Sequence, residues 1–301
     1  MPKNKRPKIF VVLGPTASGK SSLAIELAKK LDGEVISADS RQVYTGLNLG
    51  TGKVTQKEML GIPHHLLNVV SPKKQFTVIN FKTLAEKAIV EILARGKTPI
   101  ICGGTGFYIQ ALVDNLILPE VAANLALRKK LEKKSTQQLF AILQKLDPTR
   151  AKNIDAHNPR RLIRSIEIAT ALGKVPQIST LLHLDIECPS GYDFVQIGIK
   201  ISDEQLRENI EKRLLARIKK GMIAEAKKLH TEGLSWKRMD SLGLEYRYLA
   251  KFCLGKISRS ELISTLNSEI WHYAKRQMTW FKRDRRIKWL TPTETKRFAR
   301  N

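Results

Sequence analysis

The stretch Gly14-Pro-Thr-Ala-Ser-Gly-Lys-Ser21 decides the fold class. It fits the pattern GxxxxGK[ST], in which the backbone amides of a glycine-containing turn point at phosphate oxygens and the positive end of the next helix adds to the attraction. In this pattern Lys20 neutralises the terminal phosphate and the hydroxyl of Ser21 is offered to Mg²⁺. A short apolar, β-branched run precedes the loop at residues 9–13, and helical spacing follows at residues 21–31. A strand, a phosphate loop and a helix in this order predict a site for a diphosphate or triphosphate.

Strand and helix signals alternate along the chain beyond this loop. Further strand-like runs lie at residues 34–38, 99–102, 193–200 and 287–290. Helical spacing is found at residues 77–94 and 203–219. Such alternation favours a parallel sheet with helices on both faces. We therefore predict an α/β protein with a P-loop NTPase-like parallel sheet flanked by helices.

A helical insertion domain interrupts this alternation. The character of the chain changes near Pro119, after which helical patterning runs through residues 125–172 with few strand signals. We predict that residues 1–118 and 190–301 form the catalytic core with its C-terminal helices, and that residues 119–189 form the insert. Basic residues recur in the insert at Arg128, Lys129, Lys130, Lys133, Lys134, Lys145, Arg150, Lys152, Arg160, Arg161 and Arg164.

The charge balance of the whole chain points to a polyanionic partner. Lys and Arg total 53 against 28 acidic residues, which gives a formal net charge of +25. A field of this sign attracts nucleic acid, and an anionic membrane is the second choice, but no basic amphipathic anchor or long apolar run accompanies the charge. The 3 cysteines are far apart and form no CxxC, so neither a disulfide framework nor a zinc site is expected. We expect a cytoplasmic protein without membrane contact.

Asp39 is the acidic residue best placed to act beside the phosphate loop. A P-loop NTPase usually ends a later apolar strand with an acid that holds Mg²⁺, but the run at 99–102 ends in Gly103-Gly104-Thr105. Asp39 ends the run at 34–38, and the carboxyl ends of parallel strands converge on the ligand crevice. It is therefore a candidate general base or metal ligand, and the alternative is a carboxylate that caps a turn.

The motifs together resemble those of bacterial tRNA dimethylallyltransferases, also called tRNA isopentenyltransferases. The resemblance covers nearly the whole chain, and the order and spacing of the motifs make it specific. The stretches that carry it are GPTASGKS (14–21), DSRQVY (39–44), GTGK (50–53), PHHLLNVVSP (63–72), GGTGFYIQAL (103–112), Asp147-Pro148, NPRRLIRS (158–165) and YAKRQMTWF (273–281).

The resemblance implies a reaction, a metal and a set of site residues. Members of this family transfer the five-carbon group of dimethylallyl diphosphate to the exocyclic amine of the adenosine 3′ to the anticodon in tRNA, and they release diphosphate with the help of Mg²⁺. Asp39 and Thr16 are the implied catalytic residues, and Ser21 is the implied metal ligand. The implied diphosphate-binding residues are Gly14, Pro15, Thr16, Ala17, Ser18, Gly19, Lys20, Ser21 and Arg213. The implied tRNA-binding residues are Asp39, Ser40, Gln42, Arg161, Arg164, Lys275, Arg276 and Gln277.

The resemblance implies that the partner is the anticodon stem-loop of tRNA. We expect the basic insert to bind it on one side and the basic residues from Lys275 onward to bind it on another. Single-stranded bases are often stacked on aromatic side chains, which Trp271, Tyr273, Trp280 and Phe281 would offer, although core packing is the alternative for Trp280 and Phe281. We expect a monomer.

Two segments depart from the usual family pattern, and two other functions stay open. The family usually reads GTAKP where this chain has Gly-Thr-Gly-Lys-Val at 50–54, and QAIGYKE where it has Asp-Ser-Leu-Gly-Leu-Glu-Tyr at 240–246. We expect these changes to affect tRNA binding more than catalysis. The alternative functions are a small-molecule kinase that binds ATP at the same loop and a non-catalytic RNA-binding protein with a relic loop. The intact Lys20, Ser21 and Asp39 argue against the second.

Overall fold

A six-stranded parallel sheet forms the centre of the fold. The structure is a computed structural model that describes residues 6–176 and 191–300. Its strands are β1 Lys8–Leu13, β2 Gly33–Ser37, β3 His64–His65, β4 Thr98–Gly103, β5 Asp193–Ile199 and β6 Lys288–Leu290. They lie in the order β3-β2-β4-β1-β5-β6, and every neighbouring pair is parallel. β1, which feeds the phosphate loop, is therefore central, and the strands on either side of it are β4 and β5.

The helices alternate with these strands and then dominate the last third of the chain. Within the described residues they are α1 Lys20–Lys30, α2 Gln56–Met59, α3 Val78–Ala94, α4 Gly106–Val113, α5 Leu125–Leu131, α6 Thr136–Leu146, α7 Pro148–Lys152, α8 Pro159–Leu172, α9 Asp203–Lys219, α10 Met222–Thr231, α11 Trp236–Leu242, α12 Leu244–Cys253, α13 Arg259–Phe281 and α14 Pro292–Arg300. The α/β fold with a parallel sheet flanked by helices is confirmed. The strand β3 was not predicted, because two adjacent histidines give neither alternation nor an apolar run.

Both faces of the sheet are buried because its strands carry apolar residues on both sides. In β1 the side chains of Ile9, Val11 and Leu13 pack into one apolar cluster, whereas Val12 packs into another on the opposite face. This is the alternation expected of a strand covered on both faces by helices. A third cluster joins α9 to α13 with the segment after β2, and Leu47, Leu214 and Leu249 are completely buried there.

The chain divides into two compact units. One consists of residues 1–115 and 185–301 and contains the sheet, and the other consists of residues 116–184 and contains α5 to α8. The predicted insert was 119–189, and its end at 189 lies outside the described residues. The second unit has its own small core, in which Leu139, Leu143 and Leu162 are buried.

The second unit also buries a carboxylate. Glu167 of α8 accepts hydrogen bonds from the guanidinium groups of Arg128 and Arg164 and from the backbone N–H of Asn124. These donors hold the pKa of Glu167 at about 2, well below its usual value, in spite of the desolvation that acts in the opposite direction. No described helix is long and apolar enough to cross a membrane.

Candidate active site

The phosphate loop runs from the end of β1 to the start of α1. Gly14 and Gly19 have φ angles of 141° and 95°, and Ala17 has one of 62°, so the backbone curls through conformations that favour glycine. Lys20 is the first residue of α1. Its side chain folds back over the loop, and its Nζ donates to the carbonyl of Pro15 at 2.5 Å. Burial lowers the pKa of Lys20 to about 8. The hydroxyl of Ser18 is buried and has no hydrogen-bond partner among the described residues. The loop therefore holds unsatisfied donors and a poorly solvated cation, which suits an anionic ligand.

Asp39 lies where the carboxyl ends of β2 and β4 meet, as its sequence position predicts. Its Oδ1 accepts the backbone N–H of Arg41 at 2.8 Å and that of Gln42 at 3.2 Å, so one oxygen caps a turn. Within the described part of the chain, Oδ2 accepts no hydrogen bond. The turn-capping alternative is therefore correct for one of the two oxygens.

Close packing explains why β4 carries no acid at its end. The N–H groups of Ala38 and Thr105 donate to the carbonyls of Cys102 and Ala38, which draws the ends of β2 and β4 together. A Cβ on Gly103 would lie 2.2 Å from the carbonyl oxygen of Ala38. No side chain fits at this position, so the acid that a P-loop NTPase uses here is sterically excluded.

One cavity, of about 200 Å³, joins the phosphate loop to Asp39. Of the predicted site residues it is lined by Thr16, Lys20, Ser21, Asp39, Ser40, Gln42, Arg213 and Gln277. An apolar part of its wall, from Val54, Leu67, Leu242, Leu244 and Ile270, was not predicted. Leu67 lies in the segment 63–72, which carried the family resemblance, so that segment held a signal for part of this wall. The cavity thus combines a cationic end with surroundings that suit a hydrocarbon.

Arg213 supplies a second positive charge to the cationic end. It projects from α9, where its Nη2 donates to the carbonyl of Gly52 at 2.8 Å and its Nη1 lies 3.4 Å from Oγ1 of Thr16. Burial, followed by the charge of Arg217, lowers the pKa of Arg213, and Arg213 in turn lowers the pKa of Lys20. An anion that binds beside both side chains would stabilise the charged form of each.

Gln277 anchors the phosphate loop from α13. Its Oε1 accepts the backbone N–H of Thr16 at 2.8 Å, and its Nε2 donates to the carbonyl of Gly104 at 2.8 Å. Both ends of this buried amide are engaged with backbone, although Gln277 was predicted to bind tRNA. Lys275 and Arg276, predicted with it, are exposed on the same helix, and Lys275 pairs with Asp203 at 2.9 Å.

The aromatic residues near the end of α13 differ in their surroundings. Phe281 is buried in the cluster on one face of the sheet, so core packing accounts for it. Trp280 is half-buried, and its indole covers Gly106, where a Cβ would lie 2.2 Å from a ring carbon. Tyr273 lines the cavity, and burial raises the pKa of its phenol, which keeps it protonated.

Sequence comparison connects this geometry with a family. The family model described as IPP transferase matches residues 42–284. A tRNA dimethylallyltransferase of Acetivibrio thermocellus is 39% identical over 95% of this chain and 92% of its own length. A tRNA dimethylallyltransferase 2 of Treponema denticola is 44% identical over 91% of each chain. The chain belongs to the IPP transferase family.

Solved structures of IPP transferases share the fold. The full-length tRNA isopentenylpyrophosphate transferase of Bacillus halodurans is 34% identical, with a TM-score of 0.72 over 98% of this chain and 95% of its own. A eukaryotic dimethylallyltransferase acting on tRNA is 28% identical, with a TM-score of 0.78 over 95% of this chain and 74% of its own. The family resemblance stated from the motifs is therefore confirmed.

In this IPP transferase the two predicted arginines of α8 have different surroundings. Arg161 is exposed, and its side chain forms no ion pair with any described residue. Arg164 is half-buried between Glu167 and the carbonyl of Val121. Arg161 is thus free to meet a phosphate group, whereas Arg164 supports the fold of the insert.

Proposed function

We propose that this protein transfers a dimethylallyl group from dimethylallyl diphosphate to the exocyclic amine of the adenosine 3′ to the anticodon in tRNA. The observation that carries the proposal is that Lys20, Arg213, an apolar wall and Asp39 line the same cavity, in a chain of the IPP transferase family. The cationic end suits a diphosphate, the apolar wall suits a prenyl chain, and the carboxylate suits an amine.

The diphosphate end of the cavity assists the leaving group. Breaking the allylic C–O bond leaves a delocalised cation and places negative charge on the departing diphosphate. Lys20 and Arg213 line the end of the cavity where that charge would develop, and such preorganised donors are among the largest contributions to catalysis.

Asp39 acts on the exocyclic amine that accepts the dimethylallyl group. As the C–N bond forms, the amine must lose a proton, and Oδ2 of Asp39 accepts it while Oδ1 stays bound to the turn at Arg41 and Gln42. The hydroxyl of Thr16, held near Arg213, lies on the same cavity and orients the amine.

A Mg²⁺ ion fits this cavity. Ser21 offers a hydroxyl and Asp39 a carboxylate, both oxygen ligands of the kind that Mg²⁺ takes in small number beside substrate phosphates and water. The described residues contain no cluster of three acidic, His or Cys ligands, so a dedicated protein cage is not part of the proposal. When bound, Mg²⁺ would be held by the hydroxyl of Ser21 and would supply further charge neutralisation for the leaving group.

Mass spectrometry of nucleosides tests the proposal. Unmodified tRNA is incubated with the purified protein and dimethylallyl diphosphate, then digested, and the expected product is an adenosine heavier by one dimethylallyl group. The same reaction with ATP in place of the prenyl donor tests the kinase alternative. Phosphate transfer to an acceptor without prenylated adenosine would overturn the proposal.

A further inference from the structure

The carboxylate of Glu225, in the first turn of α10, holds one turn of the loop that leads into the cavity. Its Oε2 accepts the backbone N–H of Asn48 at 3.1 Å and of Leu49 at 2.7 Å, and its Oε1 accepts that of Gly50 at 3.0 Å. The hydroxyl of Tyr246 donates to the same Oε1 at 2.6 Å. Four donors thus converge on one side chain, which is more than an exposed surface carboxylate gathers.

The other side of the same turn is also fixed. The ring of Tyr246 is buried against Gly50, where a Cβ would lie 2.5 Å from the ring carbon Cζ. Nη1 of Arg217 donates to the carbonyls of Leu49 at 3.3 Å and Gly50 at 3.0 Å, and to Oε1 of Glu245 at 3.1 Å. The N–H and C=O groups of one short turn are therefore bound by opposite charges. Tyr246 and Glu245 belong to one of the segments that depart from the family pattern, and this packing is their role here.

The turn at residues 48–50 leads directly to Gly52, which contacts Arg213. Gly52, two residues after Gly50, has a φ of 60°, and its carbonyl accepts Nη2 of Arg213 at 2.8 Å. A Cβ on Gly52 would lie 2.3 Å from that nitrogen, so the guanidinium rests directly on the backbone. No described carboxylate pairs with Arg213. Its direction is therefore set by the carbonyl of Gly52, and more weakly by Thr16.

We propose that Glu225 is a positioning residue for Arg213. By fixing the turn 48–50 it fixes the carbonyl of Gly52, and that carbonyl aims the guanidinium at the diphosphate end of the cavity. This inference rests on the proposed function, since it assigns Arg213 to the leaving diphosphate. Glu225 itself is not among the residues that line the cavity.

Isothermal titration with inorganic diphosphate and, separately, with tRNA tests the role of Glu225. Glu225→Gln keeps the shape of the side chain but removes the charge that binds the three N–H groups. Diphosphate affinity should fall by roughly ten- to hundredfold, the effect of losing a charge-assisted hydrogen bond. Affinity for tRNA should stay within about twofold. Glu232→Gln is the matched control, because Glu232 caps the end of the same helix, is exposed, and among the described residues its side chain forms an ion pair only with Lys228.

A double-mutant cycle separates positioning from general damage. In the Arg213→Ala background, Glu225→Gln should change diphosphate affinity by less than about twofold, since the group that it positions is gone. An effect of Glu225→Gln that persists in full in that background, or no effect in the native background, would overturn the proposal. If Glu225→Gln does not fold, Tyr246→Phe carries the same cycle, with a loss of about three- to tenfold expected and unchanged affinity contradicting it.

The double-mutant cycle does not require that the protein catalyse transfer. Diphosphate binding is measured without tRNA or transfer. A wild-type protein that binds diphosphate but fails to prenylate tRNA would therefore contradict the proposed function and still allow Glu225 to be judged.

Discussion

Charged side chains of the core cavity are fixed by hydrogen bonds to backbone, whereas most basic side chains of the insert are exposed. In the core, Lys20 is held by the carbonyl of Pro15, Arg213 by that of Gly52, and Asp39 by two backbone N–H groups. In the insert most of the basic side chains are exposed, among them Lys129, Lys130, Lys133, Lys134, Lys145, Lys152, Arg160 and Arg161. The difference matches two tasks, because bond breaking needs donors fixed to within a fraction of an ångström, whereas attraction of a polyanion needs charge density.

Within the insert one exception sharpens this contrast. The buried carboxylate of Glu167 pairs with the partly exposed Arg128 and Arg164, so these two cations stabilise the fold of the insert. A charge that is counted in the sequence is therefore not always a charge offered to a ligand. The contrast predicts that tRNA binding responds to ionic strength and to exposed charges, and that the chemistry responds to single fixed groups.

The largest expected effect is that of salt on tRNA binding. If six to ten phosphates are contacted, affinity should fall by roughly 10³–10⁵ between about 50 and 200 mM salt, because each contact releases condensed counterions. Fluorescence anisotropy with a labelled anticodon stem-loop measures this slope. A nearly flat response would mean that the net charge of +25 is not used for binding RNA.

Asp39→Asn should have the next largest effect, on the rate of transfer. Asparagine keeps an oxygen that accepts the N–H groups of Arg41 and Gln42, but it cannot take a proton. We expect the single-turnover rate at saturating substrates to fall by about 10²–10⁴, with tRNA affinity little changed, since the group acts in the transition state.

Two Mg²⁺ concentrations distinguish the roles left open for Asp39. Partial recovery of the Asp39→Asn rate at high Mg²⁺ would identify a metal ligand, whereas a rate independent of Mg²⁺ supports a base. A normal rate would remove Asp39 from the chemistry.

The pKa of Lys20 predicts a smaller effect, on donor affinity at high pH. This pKa is lowered from 10.5 to about 8, so the free protein loses the proton of Lys20 above about pH 8. Binding of dimethylallyl diphosphate favours the charged form and must then take up a proton, so affinity should fall as pH rises, by at most about tenfold per pH unit. Below about pH 8 the affinity should level off.

Two variants test whether Lys20 causes this slope. Titration calorimetry should show no slope in Lys20→Ala. The slope should remain in Lys53→Gln, although the pKa of Lys53 is also about 8, because its ammonium group donates to Tyr44 and Asn68 instead. Burial raises the pKa of Cys102 to about 11, so its thiol does not titrate in this window. A slope that survives in Lys20→Ala would contradict the assignment.

The smallest expected effects compare the two arginines of α8. Arg161→Gln should weaken tRNA binding several-fold and reduce the salt slope by about 1, the contribution of one phosphate contact. Arg164→Gln should instead lower the unfolding free energy of the insert by about 1–3 kcal/mol, since it removes a donor from buried Glu167. Thermal unfolding and anisotropy on both variants would contradict the contrast if the two behaved alike.

Local features of the site were predictable from the sequence, and long-range ones were not. The phosphate loop and the place of Asp39 follow from a few consecutive residues and from where a parallel strand ends. The bonds from Gln277 to Thr16 and from Glu225 to Gly50 join residues 261 and 175 positions apart, and no spacing rule connects them. The absence of an acid after β4 was visible as Gly103-Gly104, but its cause, the close approach of Ala38, needed the structure.

We expect the core cavity to bind the prenyl donor and the insert to bind tRNA. Titrating two variants with each of these ligands tests this separation most directly. One variant carries Lys129, Lys130, Lys133 and Lys134 as glutamine, all of which are exposed in the insert, and the other is Lys20→Ala. Calorimetry with dimethylallyl diphosphate and with tRNA should show that the first variant loses tRNA affinity and keeps donor affinity, and that Lys20→Ala does the reverse. Parallel loss of both ligands in either variant would contradict the account.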